Sequence, residues 1–165
     1  MLTDFYGNQL TTSTGLARDS YDIGLRAFLS ANYGAQEAFS QAIEADPNFA
    51  LAYLGLARAL MSSGQVAEAK AALGKAKNLL EELTSREKSH FLCCELVLLG
   101  EAKKARAAVY NHVSEWPRDA MVAQMSTSVF GLIGFSGEVG RETDLLEYTE
   151  KLLPHYGEDW WMMSM

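Results

Sequence analysis

Phe49-Ala50-Leu51-Ala52-Tyr53-Leu54-Gly55-Leu56-Ala57-Arg58-Ala59-Leu60-Met61-Ser62-Ser63-Gly64 is the stretch that decides the fold. Tyr53, Leu56, Ala57 and Leu60 recur at i, i+3, i+4 and i+7, the spacing of one buried stripe on an α-helix. Gly64 can take the left-handed conformation that closes such a helix. A second helical segment, Gln65 to about Leu83, follows with Ala69, Leu73, Ala76 and Leu80 on one face. The punctuation then returns: Gly100 and Gly134 stand 36 and 34 residues further on, each after an apolar segment and ahead of another helical one. A period in the mid-thirties with one helical hairpin per unit predicts an all-α solenoid.

Working outward from that unit fills in the rest. Residues 1–12 read as an extended lead-in, and helix signals begin near Ser13, with Tyr21, Leu25, Phe28 and Leu29 on one stripe. Ala35 to Ala45 forms the partner helix, ended by Asp46-Pro47 because a residue before proline is pushed out of the α region. Thr84-Ser85-Arg86-Glu87 is a capping box that starts a new helix. That helix runs to Leu99 with Leu92, Cys93 and Leu96 inward, and Glu101 to Trp116 answers it. Asp119 caps a helix expected to reach Ile133, with Gly134 as its stop, and Gly137 to Leu153 supplies the last long helix, stopped by Pro154. The expected architecture is one domain over 13–165, a right-handed helical-hairpin solenoid of about eight helices. Its units fall at about 13–47, 48–83, 84–117 and 118–154, followed by a truncated helix over 157–165.

The alternation of large and small residues resembles the tetratricopeptide repeat. In the second unit the characteristic positions hold Tyr53, Leu56, Ala57 and Leu60, and the set Ala69, Leu73, Ala76 repeats Ala35, Phe39, Ala42 at an offset of 34. The third unit puts His112 where a small residue is usual, the fourth (Ala123, Thr127, Phe130) is degenerate, and the leading helix of the first unit departs from the pattern and reads as a divergent cap. Five segments further resemble the family of tetratricopeptide repeat protein 38. They are Tyr6-Gly7-Asn8-Gln9-Leu10-Thr11-Thr12-Ser13, Ala45-Asp46-Pro47-Asn48-Phe49, Leu83-Thr84-Ser85-Arg86-Glu87 with His90, Trp116-Pro117-Arg118-Asp119-Ala120 and Leu153-Pro154-His155-Tyr156. That resemblance implies further helix pairs beyond this point. Trp160 to Met165 is then similar to the opening of a next helix cut short, in a fragment or a shortened paralogue.

Composition removes several classes of partner. Fourteen basic against twenty-one acidic residues give a formal charge of −7, and no basic run exceeds Lys103-Lys104, so nucleic acid is not expected. No run approaches the roughly 18 apolar residues of a membrane span. The first residues, Met1-Leu2-Thr3-Asp4-Phe5, carry neither a basic n-region nor an apolar h-region. Cys93 and Cys94 are adjacent and are expected reduced, in a cytoplasmic setting.

The concave groove of a solenoid is lined by its first helices, and a partner there, a protein or peptide, is expected to meet Leu54, Arg58, Met61, His90, Cys94, Gln124 and Ser128. These do not supply the lysine and asparagine donors of a carboxylate clamp. Arg58 alone can pair with a peptide carboxylate; solvation, or an ion pair with a neighbouring acid, is the favoured alternative. Glu87, His90 and Cys94 share a face at i, i+3, i+7, but no second element offers a completing ligand, so no metal and no cofactor are expected. No serine or cysteine sits in an activated context, and a non-catalytic scaffold is the reading. The competing one is self-association, a homodimer formed through the apolar tail Trp160, Trp161, Met162 and Met163.

Overall fold

The computed structural model describes residues 2–165. Among them nine α-helices follow one another without a strand: α1 (Gly15–Leu29), α2 (Ala35–Ala45), α3 (Ala50–Ser62), α4 (Val66–Lys77), α5 (Ser85–Leu98), α6 (Ala102–Glu115), α7 (Ala120–Thr127), α8 (Arg141–Tyr156) and α9 (Trp160–Ser164). A 3₁₀ turn, Leu80–Glu82, lies between α4 and α5. Each odd helix packs on the even helix that follows it, α2 bears on α3 and α4 on α5, and α3 touches both α1 and α5. This is the helical-hairpin solenoid that the period predicts. Gly64 and Gly100 close α3 and α5 at φ +80° and +75°, a conformation that costs glycine little.

Small residues set the spacing between helices. Ala57, Ala69, Ala76 and Ala105 are fully buried at the helix contacts. The ring of Phe39 on α2 is held between Gly24 of α1 and Gly55 of α3, where an added Cβ would lie 2.8 and 2.5 Å from its atoms. α5 starts on the expected capping box: Thr84 Oγ1 accepts from the Glu87 amide at 3.3 Å, and the Thr84 amide donates to Glu87 Oε2 at 3.0 Å.

The last third departs from the sequence expectation. α7 ends at Thr127, not Ile133, and the third glycine of the period closes no helix. Ser126-Thr127-Ser128-Val129 is a run of weak helix formers whose hydroxyls compete for backbone bonds. The chain instead folds back, the Leu132 amide donating to the Met125 carbonyl at 2.8 Å. Gly134 packs so tightly on this turn that a Cβ would meet the Val129 carbonyl oxygen at 2.5 Å. α8 begins at Arg141, after Gly140, and runs through Pro154 to Tyr156. Proline in that final turn removes the bond to the Glu150 carbonyl, and the helix still continues to the buried Tyr156. Leu92, expected inward, is exposed, while Phe91 takes the buried position.

The inner side of the solenoid is filled. α1 reaches across to α7, and Leu51, Leu54, Glu87, His90, Cys94 and Met121 are all buried by this closure.

Candidate functional site

The two mouths of the groove differ in what covers them. At the N-terminal ends of the odd helices the lead-in lies across the repeats as a strap. The Thr12 hydroxyl donates to Asp46, after α2. The Thr11 amide donates to Glu87 Oε1 at 2.9 Å and its hydroxyl donates to the same carboxylate. Arg86 donates to the Gln9 carbonyl at 2.7 Å, and Asn8 donates to the Arg118 carbonyl at 3.0 Å. Arg118 in turn donates to the Tyr6 carbonyl at 2.7 Å. The Tyr6 ring finishes the run edge-on to Tyr156 and Trp161, with centroids 5.4 and 6.4 Å away. From Tyr6 to Thr12 the strap therefore runs from the end of α8 back to the end of the first unit, against the direction in which the repeats grow.

Beneath the strap lies a buried ionic cluster. Asp119, at the N-terminus of α7, accepts from the Arg86 guanidinium and from His90 Nδ1 at 3.1 Å. His112 Nε2 stands 3.3 Å from the same carboxylate, an ion-pair distance without hydrogen-bond alignment. Burial, the largest single influence, opposes the charged form of His90, yet the charge and hydrogen bond of Asp119 together with the neighbouring Cys94 outweigh it and lift the imidazole to about 9. Burial wins at His112 and holds it below its ordinary value. Burial also favours a neutral Asp119, but His90, His112 and Arg86 together hold its carboxyl well below the usual range. Near neutrality the cluster thus holds the cations Arg86 and His90 around one anion. His112 Nδ1 sits 2.9 Å from Ser89 Oγ, but neither residue lines the clefts described below, and Asp119 is already shared by Arg86 and His90.

The opposite mouth, at the C-terminal ends of the odd helices, is open. One cleft of about 450 Å³ lies among Arg58, Val97, Gln124, Ser128, Phe130 and Phe135. A second, of about 690 Å³, lies among Phe28, Tyr33, Gln36, Ser62 and again Gln124. Gln124 stands at their junction. Tyr33, Phe130 and Phe135 rise on the rims with most of their surface in water. Arg58 lies beneath, 8% exposed, and donates to the Met121 carbonyl at 3.1 Å and to Gln124 Oε1 at 2.7 Å. Its guanidinium sits 5.2 Å from the Phe28 ring centroid. None of the ion pairs among the described residues includes it, and burial lowers its pKa.

These placements divide the expected groove residues. Arg58, Gln124 and Ser128 come together on one cleft, and Met61 is half-buried in the last turn of α3. Leu54, His90 and Cys94 do not join them: each is at most 1% exposed because α1 and the strap fill the inner side, so they form core and cluster instead. The two expected states of Arg58, solvated or paired with an acid, are both corrected, since it is buried and unpaired. Glu87, His90 and Cys94 do not converge as ligands, because Glu87 turns to Thr11 and Thr84 and His90 to Asp119. The expected association surface also shrinks. Asp159 caps α9 and folds it back, so Trp161 (1% exposed) and Met162 (3%) are covered by their own chain, leaving Trp160 and Met163 outside. Sequence reasoning missed Phe130 and Phe135 as rim residues, because it carried α7 through Phe130 to Ile133 and left Phe135 in the turn after Gly134. It also missed the role of Asp119 as the hub of a cluster; the rare His112 at a small-residue position was the one signal for that.

Odd and even helices stacked in this order define a helical-repeat protein. A family model described as Tetratricopeptide repeat matches residues 34–82, which take in α2, α3 and α4. The match supports a tetratricopeptide repeat domain, a class that generally mediates protein–protein interaction. No curated protein and no solved structure matches the chain. No helix of the described residues is long and apolar enough to cross a membrane.

Proposed function

We propose that the chain is a non-catalytic interaction module that holds a protein or peptide partner at the open mouth of its groove. The observation that carries this reading is the pair of clefts that abut at Gln124 beneath the exposed rings of Tyr33, Phe130 and Phe135. Apolar rings left in water around a concave surface are the usual mark of a docking site, and an extended segment laid over Gln124 covers both clefts. We read the strapped mouth as the structural end, since most of its charged groups are paired within the chain and its cleft of about 450 Å³, among Gly7, Gln9, Arg86 and Trp116, carries no exposed aromatic rim. The five segments that resemble the family of tetratricopeptide repeat protein 38 all contribute to that strapped mouth. The buried free thiols of Cys93 and Cys94 fit a reducing, cytoplasmic setting.

The test is capture of partners by the full chain beside a Phe130→Asp/Phe135→Asp variant, with the thermal midpoints of both measured. Both rings are exposed, so the variant should keep the wild-type midpoint and lose the partners that the wild type retains. An identical set of retained proteins would rule out this mouth as the binding surface.

A further inference from the structure

Arg58 is a buried cation whose partners are all neutral. Its two hydrogen bonds go to a backbone carbonyl and an amide oxygen, its stacking partner is the Phe28 ring, and no carboxylate among the described residues comes within ion-pair distance. Arg86, the other buried arginine, is matched by Asp119. A guanidinium carries five N–H donors in a fixed fork, so two oxygen acceptors, with the Cys94 sulfur beside them, still leave donors unused. It also lines the cleft below Phe130 and Phe135, where a group entering from outside can reach it. The floor of a mostly apolar cleft, whose other polar lining is the neutral Gln124, Ser128 and Ser136, therefore holds one positive charge without an ion-pair partner.

We propose that the segment bound at this mouth carries a single aspartate or glutamate between apolar residues, its carboxylate accepting from Arg58 while its neighbours pack on Phe130 and Phe135 on one side and Tyr33 on the other. The proposal rests on the docking reading above and adds the chemistry of the occupant. Charge complementarity fixes the acid, because a carboxylate and a guanidinium match in a two-point geometry that an amide or hydroxyl does not reproduce. The number of acids is limited by the chain's own charge. At −7 overall, the surface repels a run of acidic residues. An internal side chain, not a chain terminus, is the source, because the clefts continue on both sides of Gln124 and accommodate a strand that passes over it.

A random dodecapeptide library displayed on phage, selected on the immobilised full chain, tests this. Peptides enriched on the wild type should share one Asp or Glu flanked by aromatic or aliphatic residues. Synthesised with an amidated C-terminus, the leading peptide should bind at least tenfold more tightly, by fluorescence anisotropy, than its Glu→Gln or Asp→Asn counterpart. Arg58→Gln should erase that difference, whereas Arg58→Lys, which keeps the charge but not the fork, should keep the preference at reduced affinity. Circular dichroism and thermal midpoints establish that each variant is folded. Should Arg58→Gln fail to fold, the acid/amide peptide pair on the wild type and on Arg58→Lys decides. Enriched peptides that lack an acid, or that bind Arg58→Gln equally well, overturn the proposal. If such peptides still lose binding to Phe135→Asp, the docking surface stands and only its acidic occupant falls. No enrichment at all removes both.

Discussion

Replacing Asp119 with asparagine keeps the shape of the cluster and removes the anion that Arg86 and His90 share, leaving Arg86 only the weaker influence of Asp4 and Glu87. Arg86 and His90 are then left as buried cations, 7% and 1% exposed, with an amide oxygen in place of a carboxylate. Removing one member of a buried pair costs about 3–5 kcal/mol, because the remaining charge is uncompensated. The imidazole provides an independent measure of the same interaction. A rise from 6.5 to about 9 corresponds to about 3 kcal/mol of preference for protonated His90 in the folded state. Because the folded value lies above the unfolded one, this stabilisation is complete below about pH 6.5 and is lost as the pH rises through about 9. The groups facing His90 are Asp119, Arg86, His112 and Cys94, and Asp119, held far below its ordinary value, stays ionised throughout that window. Urea unfolding followed by circular dichroism at pH 6.5, 8 and 9.5 reads both effects. The wild type should lose about 3 kcal/mol across the series. Asp119→Asn should start about 3 kcal/mol lower and change little with pH, as His90 no longer has an anion to hold its proton. A wild-type stability that does not change over this window, together with an Asp119→Asn cost under about 1 kcal/mol, would refute the cluster as a stabilising element.

Two further substitutions probe the packing. Gly55→Ala places a Cβ 2.5 Å from the Phe39 ring, which Gly24 confines on the other side, so a loss of about 1–3 kcal/mol is expected in chemical denaturation; an unchanged midpoint would show that Phe39 has room to move. Trp161→Ala removes a fully buried ring from Tyr6 and Tyr156 and should cost about 3–5 kcal/mol, whereas Trp160→Ala, on the exposed side of α9, should shift stability by at most about 0.5 kcal/mol. Equal effects of the two would mean that α9 is not docked on its own chain.

The repeat was legible in the sequence because it is written in local signals. Periodic apolar residues, Asp46-Pro47 and the Thr84/Glu87 box each act within one or two turns, and α2 falls on the residues expected from them. α7 was less legible, since continuing it to Ile133 required Ser126, Thr127, Ser128 and Val129 to behave as helix formers. Tertiary closure was not written locally at all. Leu54, His90 and Cys94 occupy groove positions of their helices, and only the contact of α1 with α7 and the crossing strap turns those positions into core. Arg58 shows the same limit from the other side. Its sequence position says groove, but its burial and its missing counter-charge are properties of the assembled units.

The strap is what distinguishes the two mouths. Backbone groups at the start of a helix are donors without intrahelical partners, and a chain crossing several such starts is an efficient way to satisfy them and their capping carboxylates. Here the lead-in serves the side chains at those starts: it donates to the capping carboxylate Glu87 and to Asp46, its carbonyls accept from Arg86 and Arg118, and its side chains Tyr6 and Leu10 are sealed into the core. A partner competing at that end must displace bonds the chain already makes. At the other end the odd helices finish in Phe28, Ser62, Val97 and Gln124 with no chain laid across them, and the cation below has no anion. On the proposed reading, a segment docking there need displace no covering strap, which makes the open mouth the favoured surface even though the strapped one holds more charge.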